Sequence, residues 1–182
     1  MKIKQKNLFV SILIIIALGA AACRSSSSRG VNQSNASQNM NESTDANVEI
    51  KTDLEGLEKQ INLPAPPPRE VKWTAKIFDN SKGVVPGPTD YHLTALLKYD
   101  DPSAAELMRK LEIQTAEKSL GNTSVKSWFP DEVKTEAKTV DGRTYLEGAK
   151  YSFNDFLRPP YRNGNLIRVG KTNYFVLNLF SF

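Results

Sequence analysis

The run Tyr174-Phe175-Val176-Leu177-Asn178-Leu179-Phe180 constrains the chain more than any other stretch, because it is apolar at odd and even positions alike. Successive side chains of a strand point to opposite faces, so such a run needs cover on both sides. It predicts an interior strand, either inserted centrally in a sheet or packed beneath a helix. A short strand over residues 166–169 and a turn at residues 170–173 lead into it.

Two earlier stretches alternate instead. Val71, Trp73, Ala75 and Ile77 stand against Lys72, Thr74 and Lys76, and Tyr91, Leu93, Ala95, Leu97 and Tyr99 stand against His92, Thr94 and Lys98. Each pattern predicts a half-buried strand, and the two are expected to be antiparallel neighbours across a turn at residues 79–83. Val140-Asp141-Gly142-Arg143 carries the Asp-Gly signal of a tight hairpin, pairing residues 138–140 with 144–147. Residues 151–157 fit strand and helix equally.

Asp101-Pro102-Ser103 puts a carboxylate at a cap position and proline at the first helical position. The helix it opens is expected to bury Ala104, Leu107, Met108 and Leu111 and to pair Glu106 with Lys110. It is expected to run to about residue 120, with Gly121-Asn122 as the stop. Trp128 and Phe129 introduce a second, short helix or turn through residues 131–133 as core anchors. The sum is an α+β domain, a mainly antiparallel sheet packed against one longer and one short helix. Residues 69–182 hold 114 positions, enough to bury one core.

Upstream, Ile50, Leu54, Leu57 and Ile61 fall on one stripe of a helix over residues 48–62, which Gly56 weakens by about 1 kcal/mol relative to alanine. That helix either binds a partner or packs on its own domain. Pro64, Pro66, Pro67 and Pro68 end it, so residues 48–68 read as a short helix followed by a stiff linker. Residues 23–47, with Ser25-Ser26-Ser27-Ser28, offer almost nothing to bury and predict a disordered tether. A chain of that kind reaches on the order of 25–30 Å.

Residues 1–22 begin with Lys2, Lys4 and Lys6, continue with 15 residues that are nearly all apolar, and end in Gly19-Ala20-Ala21-Ala22. The apolar run falls short of the roughly 20 residues that a spanning helix needs, and the pattern is that of a secretory signal. Leu18-Gly19-Ala20-Ala21-Ala22-Cys23 resembles the lipobox of bacterial lipoproteins, with Ala20 where leucine is commonest. The resemblance covers this segment alone. It implies that the Cys23 thiol receives a diacylglycerol, that the leader is cut just before it, and that the new amine is acylated. Arg24 rather than Asp follows Cys23; in a Gram-negative host the resemblance then implies anchoring at the cell outer membrane. The alternative is ordinary cleavage after Ala20-Ala21-Ala22 with release of a soluble protein.

Of 24 Lys and Arg residues three lie in the leader, leaving 21 against 20 Asp and Glu. A mature net charge near +1 provides no positive field for nucleic acid. With Cys23 the only cysteine and His92 the only histidine, disulfides, cysteine nucleophiles and His-rich metal sites are excluded. No cofactor or metal is assigned.

Candidate site residues are few. His92 beside Asp90 and Tyr91 would allow an oriented general base, or is a strand-face histidine. Asp100-Asp101 and Asp131-Glu132 are acid/base pairs or, with fewer assumptions, helix caps. Arg158, Tyr161, Arg162 and Arg168 around a proline-stiffened loop form the best ligand candidate, for a phosphate, a carboxylate or an acidic partner. Val85-Pro86-Gly87-Pro88 would shape a groove beside Trp73 or simply turn the chain. The expected function is that of a non-enzymatic lipid-anchored envelope protein that binds a protein or envelope ligand. The rivals are a periplasmic hydrolase or transferase using carboxylates and His92, and an inhibitor or immunity-type lipoprotein that blocks a partner.

Overall fold

The structure is a computed structural model that describes residues 48–82, 87–115 and 119–182. The leader, Cys23 and the tether at residues 23–47 lie outside the described residues, as do Val85 and Pro86. In chain order the elements are α1 (Leu54–Gln60), β1 (Glu70–Phe78), β2 (Asp90–Lys98), α2 (Asp101–Gln114), β3 (Ser119–Ser124), α3 (Asp131–Lys134), β4 (Ala137–Val140), β5 (Arg143–Tyr151), β6 (Asn163–Arg168) and β7 (Tyr174–Phe180).

The fold is α+β, built on a seven-stranded antiparallel sheet of order β1-β2-β7-β6-β5-β3, with β4 paired to β5. The doubly apolar run takes the central place expected of it: β7 lies between β2 and β6, with Leu177 opposite both Ala95 and Leu166. Alternation then divides the interior. Odd residues Leu93, Ala95 and Leu97 of β2 and Phe175, Leu177 and Leu179 of β7 pack with Leu57 and Ile61 from α1 and its end and with Ala104, Leu107 and Leu111 of α2. Even residues Leu96, Tyr174 and Val176 pack on the other face with Phe129, Val133 and Leu146.

The β1–β2 pairing and the Asp141-Gly142 hairpin are as expected. The two turn residues have φ of 52° and 74°, the left-handed backbone that this hairpin type requires. Glu106 meets Lys110 at 2.9 Å, Phe129 is buried before α3, and residues 154–156 form a 3₁₀ turn with Phe156 fully buried.

Four expectations are corrected. The cap of α2 is Asp100 rather than Asp101; its Oδ1 accepts from the backbone N of Ser103 at 2.9 Å, so proline occupies the second helical position. These hydrogen bonds hold the Asp100 carboxyl below its ordinary range. The helix ends at Gln114, not near residue 120, because Thr115 turns its hydroxyl back onto the Leu111 carbonyl at 2.7 Å. Leu120 to Asn122 are then claimed by pairing with β5. Along β1 the apolar face fails past its middle: Val71 and Trp73 are buried, but Ala75 and Ile77 are exposed.

The fourth correction moves the domain boundary and shortens the helix: it spans Leu54–Gln60 and packs on its own domain, one of the two readings above, so residues 48–68 are part of that domain. Lys51 bridges to Trp73 in antiparallel fashion, the Trp73 indole N–H donates to the Asp53 carbonyl at 3.1 Å, and Leu57 and Ile61 are fully buried. Burying two such side chains contributes about 1.5–3 kcal/mol each, more than the intrinsic cost of Gly56. That glycine has a packing reason: a Cβ there would press on the Asp53 carboxylate and come within 3.1 Å of the Trp73 ring.

Candidate functional site

The sheet face opposite α1 and α2 changes character along its length. Next to the apolar row of Leu96 and Val176, the register sets Thr74, Thr94, Asn178 and Asn165 side by side. Asn178, nearly buried in a central strand, uses its whole amide. Its Oδ1 accepts from Thr94 Oγ1 at 2.9 Å, and its Nδ2 donates to Asn165 Oδ1 at 3.0 Å and to Thr123 Oγ1 at 3.1 Å. Since Thr123 belongs to β3, the amide ties the far end of the sheet over its centre. The sequence signal was the single polar residue in an apolar run.

One row further lie Lys76, His92 and Phe180. The His92 ring meets Phe180 edge-on at 6.3 Å. Burial lowers its pKa, and the nearby cations Lys126 and Lys76 lower it further. Asp90 accepts from Asn80 Nδ2 at 2.8 Å instead of orienting the imidazole. The surroundings favour neutral imidazole and bring cations to it.

The acidic pairs have structural partners. Asp101 accepts from Asn173 Nδ2, and Asp131 meets Lys134 at 3.5 Å. Glu132 accepts the Tyr174 hydroxyl and lies 3.5 Å from Lys98, whose ammonium also sits 5.2 Å above the Tyr174 ring. Among the described residues, no group of three His, Cys, Asp or Glu side chains is arranged to hold a metal ion.

The arginine set does not assemble. Arg158 donates to the Glu58 carbonyl at 2.8 Å, pinning the loop to α1. Tyr161 is 4% exposed and part of the main core, its hydroxyl pushed up to about 12 by burial. Arg162 is exposed and precedes β6, whereas Arg168 ends that strand, roughly 20 Å away at about 3.3 Å per residue. There Arg168 closes the β6–β7 turn on the Thr172 and Lys171 carbonyls. The four are close in sequence, but a strand runs between them. Trp73 is buried against α1, and Val85 and Pro86 of the stretch that would shape a groove beside it or turn the chain lie outside the described residues.

Two clefts escaped sequence reasoning. One, of about 320 Å³, is lined by Glu112, Thr115, Leu120, Ala149 and Tyr151 among others. A second, of about 300 Å³, lies between α2 and the β6–β7 turn, with Asp101, Arg109, Glu112 and Arg168 in its lining. Both draw residues from remote parts of the chain, and no local motif marks them.

No family model, curated protein or solved structure matches the chain.

Proposed function

We propose that this chain is a lipid-anchored bacterial envelope protein that works by binding a protein or envelope ligand and not by catalysis. The observation that carries the proposal is the Leu18-Gly19-Ala20-Ala21-Ala22-Cys23 exit behind a basic and apolar leader. Two or three acyl chains hold far more firmly than one, since each buried methylene contributes about 0.8 kcal/mol. With Arg24 after the cysteine, a Gram-negative host would sort the product to the outer membrane.

The domain supports a binding reading because the groups best suited to acid/base work are occupied. Asp90, Asp100, Asp101, Asp131 and Glu132 each accept a hydrogen bond or ion pair that secures a turn, a cap or a strand end. The hydrolase reading needs His92, Asp90 and a second carboxylate to share one pocket, and His92 has lysines beside it.

Growth with an alkyne-tagged fatty acid tests the anchor: label on the wild type and none on Cys23→Ser is expected, and equal labelling contradicts it. A crosslinking pull-down from envelopes then tests binding, with recovery of a discrete partner expected. Turnover of a substrate by the purified domain, abolished by replacing one polar residue, would refute it.

A further inference from the structure

One end of the sheet carries an apolar surface that its own helices leave uncovered. On β1, Ile77 is 67% exposed and Phe78 47%, on opposite faces of the strand, and Phe182 beyond β7 is 70% exposed. Phe182 leans on Phe180 at 5.1 Å, and Phe180 in turn meets His92. The register aligns Lys76, His92 and Phe180 across three strands and places Phe78 one row further out, opposite Asp90. The result is a small aromatic platform at the strand ends.

Cations rim it. Lys76 and Lys126 lie close enough to His92 to disfavour its protonation. Arg162 joins the same end, where its backbone N donates to the Phe180 carbonyl at 3.0 Å. Of the carboxylates nearby, Asp90 is held by Asn80 and Asp79 accepts from both the backbone N and the hydroxyl of Ser81.

The direction in which the chain arrives bears on what covers this end. Lys51 and Trp73 form an antiparallel bridge, so the backbone traced from Lys51 back to Val48 runs beside β1 toward Phe78, not toward Glu70. Val48 is 25 residues from Cys23 in the sequence. The attachment point and the aromatic platform therefore share one end of the domain. Aromatic and aliphatic side chains ringed by lysine and arginine suit the boundary between acyl chains and phosphate headgroups.

We infer that the end of the sheet bearing Ile77, Phe78, Phe180 and Phe182 rests on the bilayer surface, with Lys126 and Arg162 toward the lipid phosphates. This rests on the proposed acylation of Cys23. The domain then stands with its strands running up from the membrane, and the β6–β7 turn and the Arg168 cleft point away from it.

The test uses the full lipidated protein reconstituted in phosphatidylethanolamine–phosphatidylglycerol vesicles, with an environment-sensitive fluorophore on Phe182→Cys or, at the opposite end of β7, on Lys171→Cys. Both positions are exposed, so neither substitution disturbs the core. The expected result is blue-shifted emission from position 182, lost to nitroxide-bearing lipids, and aqueous, unquenched emission from position 171. Mass spectrometry of the same samples reads the state of Cys23. Aqueous emission at 182 with an acylated Cys23 overturns the inference and leaves the anchor standing. A shift at 182 that needs added envelope protein and not lipid also overturns it, assigning the platform to a protein partner. An unmodified Cys23 removes both.

Discussion

Lys51 and Trp73 exchange both backbone hydrogen bonds, each 2.8 Å long. The Lys51 ammonium also lies 5.2 Å over the indole ring. This pairing fastens the N-terminal approach to the free edge of β1, where an unprotected strand would invite association with other chains. It also sets the direction in which residues 48–51 approach the sheet.

The segment from residue 48 to 68 is therefore expected to be indispensable to folding. Leu57→Ala leaves a cavity among the side chains that join α1 to the sheet and is expected to cost about 2–5 kcal/mol. Urea denaturation should show a lower midpoint at an unchanged slope, and a chain starting at Arg69 should not show a cooperative transition of wild-type stability. Wild-type behaviour of that truncation would return residues 48–68 to the status of a linker.

Asn178 is expected to matter through the partners it would abandon. Asn178→Ala strips Thr94 of its acceptor and Asn165 and Thr123 of their donor, and leaving buried polar groups unmet costs about 1–3 kcal/mol. Removing the buried pair together, with Thr94→Val and Asn178→Leu, is expected to recover part of that loss. A double-mutant cycle by chemical denaturation measures the coupling, and strictly additive effects would count against the network.

His92 should impose a pH dependence on stability. Its folded-state pKa is lowered by burial and then by Lys126 and Lys76, so below its ordinary value of about 6.5 the unfolded chain binds the proton more readily than the folded one. Stability is therefore complete above that value and falls as pH drops through it. Because the chain has no other histidine, His92→Gln is expected to flatten the profile between about pH 7 and 5. Thermal melts across that range read it directly; an unchanged slope would mean that the ring is fully solvated.

Much of the sheet was legible because burial and period agree. β7 announced its central place by being apolar at every position but Asn178, and the Asp141-Gly142 turn announced its hairpin by residue type. The misread elements are those whose fate is decided by distant residues. Leu120 reads locally as the end of a helix and Gly121-Asn122 as its stop, but the pairing of all three with residues 147–149 outweighs that local signal. Gly56 looks like a helix defect until Trp73 is seen against it. The arginine set failed for a geometric reason, since six residues of extended chain separate Arg162 from Arg168 by far more than any side chain reaches. Likewise the platform of Phe78, Phe180 and Phe182 becomes visible only through strand order, which brings positions a hundred residues apart into adjacent rows.

The fate of one sulfur atom decides the anchor, and intact-mass measurement of the native protein extracted from its host's membranes reads it directly. The expected product begins at Cys23 and carries a diacylglycerol on the thiol, with the new amine acylated as well. A chain that retains residues 1–22, or one that starts at Cys23 with a free thiol, would contradict the anchor and with it the bilayer-facing orientation of the domain.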